Sequence, residues 1–213
     1  MTVTMVNGDY PREWLDAAIA ARIVGMDIET NGLDKFTHKI ATVQMYVPEV
    51  GTVMVRKLDN PTNLIELLEH GQTTKIFHHA PFDIGFLMAH LPVYPKKIAD
   101  TKIAAKMVDP KKLRFYHPDT NKGSHSLLAL TWHFYQEKWD KKLAVSDWFA
   151  EELLPEQIEY AAKDVMYLPE MLRKLETELS KMGMLRLARD AYRHIPTKIA
   201  LELKKFDDIY GYA

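Results

Sequence analysis

The sequence predicts an α/β fold, a single domain over 1–213 whose first half carries the strands and whose second half is almost wholly helical. Three observations carry this. Short apolar, β-branched runs alternate with helical patterns through the first half. The second half keeps helical spacing nearly throughout. No repeat, low-complexity segment or shift of composition divides the chain.

The elements follow in order. Pro11 sits in the first turn of a helix over 11–21. The run 22–29 reads as a buried strand. Two further strands, 39–47 and 51–57, are joined by the short link Pro48-Glu49-Val50-Gly51, which suits an antiparallel hairpin. Pro61 opens a leucine-spaced helix over 61–70, followed by a short strand at 75–79. Pro81 begins a helix over 81–90, residues 96–100 form another strand, and a helix starts at Thr101. Residues 109–123 hold Pro, Gly, Asp and Asn among basic side chains and read as a mobile surface loop. Helices are expected at about 124–138, 155–179, 181–194 and 196–205.

Composition excludes several functions. Hydrophobic residues make up 47% of the chain and charged residues 27%, ordinary globular values. The absence of cysteine removes disulfides, thiolate catalysis and Cys-ligated zinc or iron–sulfur sites. The N-terminus lacks the pattern of a signal peptide, and no apolar run approaches the length of a membrane span, so the expectation is a soluble cytoplasmic protein that uses no membrane. A net charge of −1 offers no global basic field, but local patches and bound metal ions, not the total, meet phosphates.

The chemistry lies in the acids. Asp27 and Glu29 are two apart on a strand and share one face, while Met26 and Ile28 take the other. Adjacent carboxylates repel, and burying either without a partner costs several kcal/mol. A divalent cation relieves both problems; open solvent at the end of a short strand does so too. Asp83 falls in the first turn of a helix after a strand, where α/β sites gather and where an acid also complements the helix dipole. Tyr160 and Asp164, four apart, share one helical face. Four such carboxylates suit a two-metal phosphoryl-transfer site, in which cations about 3.5–4 Å apart activate a water and stabilise the leaving oxygen.

These segments also resemble a family. Asp27-Ile28-Glu29-Thr30, the run from His78 to Asp83, and the run from Tyr160 to Asp164 look like the three exonuclease motifs of the DEDD superfamily. The tyrosine four residues before the last acid marks the DEDDy branch. Ser146-Asp147-Trp148 followed by residues 153–168, together with 39–45 and 98–107, resembles the ribonuclease D-like 3′–5′ exonucleases over roughly 15–180, with 181–213 as a helical tail. The resemblance implies a ribonuclease H-like fold with a five-stranded mixed sheet flanked by helices. It implies that Asp27, Glu29, Asp83 and Asp164 hold two Mg²⁺ or Mn²⁺ ions, and that Tyr160 hydrogen-bonds the attacking water. Thr30 and Leu33 match positions that contact the terminal nucleotide. His79 stands where the second motif often carries Asn, and can donate to a phosphate or sugar. The implied substrate is short single-stranded RNA, cut from its 3′ end to nucleoside 5′-monophosphates. DNA cleavage of the proofreading type shares the motifs, and a non-catalytic nucleic-acid-binding protein shares the fold; loss of an acid would mark the latter, and all four acids are present.

In compactness and in its last fifteen residues the chain is also similar to the short NanoRNase C-type enzymes, ring-shaped octamers that degrade very short oligonucleotides. That likeness implies a homo-oligomer in which Phe206, Tyr210 and Tyr212 pack on a neighbouring subunit. For gripping nucleic acid, the loop 109–123 offers Lys111, Lys112, Arg114, Phe115, Tyr116 and Lys122, and 137–142 offers a second basic and aromatic cluster; both equally suit solvated surface. Trp148 is expected in the core.

Overall fold

The computed structural model describes residues 3–138, 141–206 and 209. Six strands form one mixed sheet: β1 (Val3–Asn7), β2 (Ile23–Thr30), β3 (Ile40–Val47), β4 (Gly51–Arg56), β5 (Thr74–Phe77) and β6 (Ile98–Asp100). Their spatial order is β1-β4-β3-β2-β5-β6. The β3–β4 hairpin is antiparallel as expected, β2 is antiparallel to β3, and the pairs β2–β5, β5–β6 and β1–β4 are parallel. The ribonuclease H-like layout therefore holds, with one strand more than the expected five. The addition is β1, a partly exposed edge strand beside β4.

Helices cover the sheet: α1 (Arg12–Ala21), α2 (Thr62–Glu69), α3 (Ala80–His90), α4 (Thr101–Val108), α5 (Leu127–Tyr135), α6 (Pro155–Met166), α7 (Leu168–Lys181) and α8 (Leu185–Leu203). The expected helix 155–179 is thus two, meeting at Tyr167. The expected pair 181–194 and 196–205 is instead one helix that carries Pro196 inside it. Proline removes one helical hydrogen bond, but Ile195, Pro196 and Ile199 lie on the buried face, so packing holds the helix through the break.

The alternation of β2 sets the layers. Val24, Met26 and Ile28 enter one apolar cluster with Leu15, Leu64, Phe77 and Leu87 beneath α1, α2 and α3. A second cluster joins Ile76 and Ala99 to Leu168, Met171, Leu175 and Tyr192. A small third one holds Met54, Trp148 and Tyr160, so Trp148 is a core residue.

The loop at 109–123 is better anchored than its composition suggests. Asp109 accepts hydrogen bonds from the backbone N–H groups of Leu113 (2.8 Å) and Arg114 (2.9 Å), and Phe115 is fully buried behind it. Phe115 is therefore not available to stack on a base. Trp139 and Asp140 of the second basic cluster lie outside the described residues, as do Tyr210 and Tyr212; Phe206 is exposed. Among the described residues, no helix is long and apolar enough to cross a membrane.

One core position works against stability. Lys75 of β5 is buried, and its ammonium donates to the His70 carbonyl at 2.8 Å. Burial, reinforced by Lys97 and Lys96, pulls its pKa down to about 7. Above that value the unfolded chain binds the extra proton, so this lysine costs least at alkaline pH and most below pH 7. Lys75→Met is expected to stabilise the protein by on the order of 3 kcal/mol at pH 6, with the gain shrinking toward pH 10. Urea denaturation of both proteins at pH 6, 8 and 10 checks this; a gain independent of pH would contradict a buried charge.

Candidate active site

The acids meet where the chain makes two close approaches. The first is at Gly25. A Cβ there would lie 2.2 Å from the Val165 carbonyl oxygen, so only glycine lets the end of α6 come down onto β2. That contact brings Asp164 and Tyr160 of α6 over the face of β2 that carries Asp27 and Glu29. Carboxylate oxygens of Asp27, Glu29 and Asp164 all lie within 4.8 Å of one another.

The second approach is at the end of β5. This strand pairs with β2 only from Ile23 to Gly25. Beyond it the chain turns through His79, in the left-handed conformation at φ 82°, into α3. Asp83, in the first turn of α3, then uses its Oδ1 to accept the Ile28 N–H at 3.2 Å. The fourth acid is thereby fixed to the same stretch of β2. Asp100 holds this corner by accepting from Ala80 N (2.7 Å) and Ile103 N (2.8 Å), which ties the starts of α3 and α4 together.

A supporting residue escaped the sequence reading. Gln44 sits opposite Asp27 in the β2–β3 register and donates Nε2–H to Asp27 Oδ2 at 2.7 Å, while Thr42 donates to Gln44 Oε1 at 2.9 Å. Both side chains are fully buried. The signal was there: Thr42 and Gln44 are polar at alternate positions of a strand whose other face holds Val43 and Met45.

The electrostatics are those of an anionic pocket. Burial raises the Asp27 carboxyl well above its usual range, and Asp83, Glu29 and Asp164 raise it further, against the pull of Gln44. Burial, Asp164 and Asp83 push Glu29 up to about 9. Burial likewise raises Asp83, opposed by the Ile28 N–H. Tyr160 is raised well above an ordinary phenol by burial first and by Asp164, Glu29 and Asp27 next. Carboxylates this close hold their protons for want of positive charge, and an all-oxygen donor set is what Mg²⁺ or Mn²⁺ takes.

Two cavities flank the acids. A cleft of about 640 Å³ runs along Glu29, Thr30, Asn31, Gly32, Leu33 and Phe82 on one wall and Ala144 to Trp148 on the other. Thr30 and Leu33 thus stand together in it: Thr30 Oγ1 donates to the Gly32 carbonyl at 2.6 Å, and Leu33 is 86% exposed. A smaller cavity of about 210 Å³ is bounded by Asp27, His78, Lys102, Ser126, Leu128, Tyr160 and Asp164. The histidine on this cavity is His78, whose Nδ1 pairs with Thr101 Oγ1 at 2.9 Å. His79 is exposed instead, and partial burial with Lys102, Lys106 and Lys198 nearby lowers its imidazole pKa. Neither His78 as a wall of the site nor Lys102 was singled out from sequence.

With this geometry in hand, similarity to known proteins is informative. The 3′–5′ exonuclease family matches residues 4–180. Ribonuclease D of Xanthomonas oryzae pv. oryzae is 30% identical over 196 residues, covering 88% of this chain and 50% of the relative. The chain spans about half the length of that relative, and less of several others. Among solved structures, Brucella melitensis NrnC with bound Mg²⁺ superposes with a TM-score of 0.84 at 28% identity, covering 100% of both chains. The same protein bound to pGG gives 0.86, again at 28% identity and 100% of both chains. Escherichia coli RNase D gives 0.77 at 21% identity over 93% of this chain and 51% of that one, a likeness of fold.

Proposed function

The chain belongs to the 3′–5′ exonuclease family, in its ribonuclease D-like branch, and on that basis we propose that it removes nucleoside 5′-monophosphates one at a time from the 3′ end of short single-stranded RNA. The observation that carries this is the convergence of Asp27, Glu29 and Asp164 within 4.8 Å beside a nucleotide-sized cleft. Short oligonucleotides are favoured as substrate because NrnC, a relative matched over its full length, binds pGG.

In this mechanism Asp27, Glu29, Asp83 and Asp164 would hold two divalent cations, which when bound would supply a water of lowered pKa and positive charge for the leaving oxygen. Gln44 ties down Asp27 through a hydrogen bond to its Oδ2, which steadies the carboxylate beside the other acids. The Ile28 N–H does the same for Asp83. Tyr160, with its ring 6.2 Å from that of Trp148, is held where its hydroxyl can hydrogen-bond the attacking water. The water gives up a proton as its oxygen bonds to the phosphorus of the last phosphodiester, the bond from phosphorus to the 3′ oxygen breaks, and that oxygen takes up a proton from the solvent to leave as the hydroxyl of the shortened chain. Leu33 and Thr30 line the space for the departing nucleotide. A homo-oligomer is part of the same reading, supported by the full-length match to NrnC and the exposed Phe206.

The test is a time course with Mn²⁺ on 5′-labelled RNAs of two, seven and twenty nucleotides and on matched DNAs. A ladder shortening from the 3′ end, with 5′-monophosphate products and fastest loss of the shortest RNA, is expected. EDTA should stop it and Mn²⁺ restore it. Retained activity after exhaustive chelation would refute the metal scheme. Binding without cleavage on every substrate would favour a non-catalytic protein.

A further inference from the structure

The loop between β2 and β3, residues 31–39, is built as one piece. Asn31 N–H donates to the Lys39 carbonyl at 3.3 Å and Lys39 N–H donates to Asn31 Oδ1 at 2.7 Å, which closes its base. Asp34 makes the turn at its tip. The Asp34 carboxylate accepts from Phe36 N–H at 2.9 Å and from Thr37 Oγ1 at 3.0 Å, and its carbonyl accepts from His38 N–H at 2.9 Å. The His38 ring fills the inside: a Cβ on Gly32 would lie 2.3 Å from His38 Cδ2. A loop with its ends together and its interior packed by its own side chains moves as a unit about its base. Asn31, Gly32 and Leu33 line the large cleft, so whatever fixes this unit against the body of the protein also sets that wall.

Lys35 reaches out of the unit. It is half-buried among exposed neighbours, and its stem lies along Gly85 of α3. A Cβ at Gly85 would be 3.1 Å from Lys35 Cδ and 3.9 Å from Ile199 Cδ1 of α8. Glycine inside a helix is destabilising relative to alanine, and here it makes room for the lysine stem between α3 and α8. Lys35 Nζ then pairs with Glu202 Oε2, in the last turn of α8, at 3.3 Å and across 167 positions of sequence.

The anchor at the far end is firm. Glu202 Oε1 accepts from Lys198, one turn earlier on the same helix. Ile195 and Ile199 of α8 share an apolar cluster with Ile84 and Leu87 of α3, and Thr197 Oγ1 pairs with the Tyr94 hydroxyl at 3.0 Å. Most surface ion pairs contribute little, because two long side chains must be ordered in a screening solvent. This pair is only 22% and 36% exposed, and both partners are held independently of it, the lysine by its stem and the carboxylate by Lys198.

We propose that the Lys35–Glu202 ion pair is a tether by which the end of α8 holds the loop 31–39 in place, and that Lys35 and Glu202 are thereby positioning residues for substrate in the large cleft. A loop that spends part of its time displaced binds substrate more weakly, in proportion to the fraction in place. The role in substrate binding rests on the exonuclease reading; the tether does not.

The test uses Lys35→Met, which keeps the stem over Gly85 and removes the ammonium, and Glu202→Gln, which keeps the shape and removes the charge. The two are made singly and together, with Lys35→Arg as the conservative control. The chain contains no cysteine, so a nitroxide on Phe36→Cys, introduced into each protein, reports the loop alone. Its spectrum should shift toward the mobile form in Lys35→Met and in Glu202→Gln and stay unshifted in Lys35→Arg. In the unlabelled proteins, KM for a seven-nucleotide RNA with Mn²⁺ should rise about fivefold in each single variant, the upper end for a partly exposed ion pair, with kcat within about twofold. The double variant should be no worse than either single, because all three lose the same interaction, and Lys35→Arg should match the unaltered protein. An unshifted spectrum in Glu202→Gln, which lies far from the label in sequence, would overturn the tether, and so would losses that add in the double variant. A looser loop with unchanged KM would overturn its role in substrate binding. If the unaltered protein cuts no RNA, the exonuclease reading fails while the spectra still decide the tether. If it cuts RNA and every variant matches it in KM and spectrum, the tether fails and that reading stands.

Discussion

Asp27→Asn is expected to lower nucleotide release by on the order of 10³-fold or more and, in EDTA, to make the protein more stable than the unaltered chain. The two effects share one cause. Asp27 is raised by burial and by three acids around it, so folding without metal forces charges together or forces them to take up protons. Either costs free energy at neutral pH, because the unfolded carboxylates are spread out and ionised. Asparagine keeps an oxygen to accept from Gln44 Nε2 and has nearly the same volume, so the only thing lost is charge. The metal-free variant should therefore melt roughly 3 °C higher. Saturating Mn²⁺ should reverse the order, since a bound ion stabilises only the form that holds it. Asp164→Asn, in the same cluster, should behave alike. Thermal melts with EDTA and with Mn²⁺, beside the cleavage assay, check both halves; full activity in either variant would remove the metal scheme. A variant that is inactive and also less stable in EDTA would mean the carboxylate is structural.

What was legible in the sequence, and what was not, follows from how local each cause is. The shared face of Asp27 and Glu29 is a property of any strand and needed only a period of two. The helical pairing of Tyr160 with Asp164 needed only a spacing of four. Their convergence is another matter. It depends on Gly25, whose missing side chain lets Val165 approach, and nothing within a few residues of Gly25 announces a helix that arrives some 140 positions later. The edge strand β1 escaped for a similar reason: Val3–Asn7 is short, half exposed, and becomes a strand by pairing with β4. The boundary at Tyr167 was hidden because that residue keeps helical angles, at φ −84° and ψ −15°, so apolar spacing runs through the junction of α6 and α7. Pro196 misled in the opposite sense: a local breaker was outvoted by the buried face on either side of it. His79 was singled out by motif position, yet one left-handed residue at the start of α3 leaves it exposed near lysines while His78 borders the acids. Gln44 shows the remaining gap, because a polar residue in a strand announces a buried partner only once its register is known.

The role of Tyr160 can be separated from that of the acids. Its hydroxyl belongs to a side chain packed between Trp148 and Asp164, and its pKa is raised chiefly by burial. Cations on the acids would cancel the repulsive part of that shift but leave the burial. The phenol should therefore stay protonated through the working pH range and act as a hydrogen-bonding partner that aligns the water, not as an anionic base. Tyr160→Phe keeps the ring and its packing against Trp148 and removes that hydrogen bond together with the one the hydroxyl makes to Asp164. A loss in kcat of about 10²-fold is expected, the low end for a positioned proton-transfer group, with KM for RNA and Mn²⁺-induced stabilisation unchanged. The pH profile discriminates further. If the phenol only orients the water, the activity of the unaltered protein and of Tyr160→Phe should rise with pH in parallel, because in both the proposed cations would ionise the water. If the phenolate were the base, the alkaline limb would vanish in Tyr160→Phe. A variant that turns over at the full rate would assign the water to other groups, of which Glu29, within 4.8 Å of Asp27 and Asp164, is the nearest candidate.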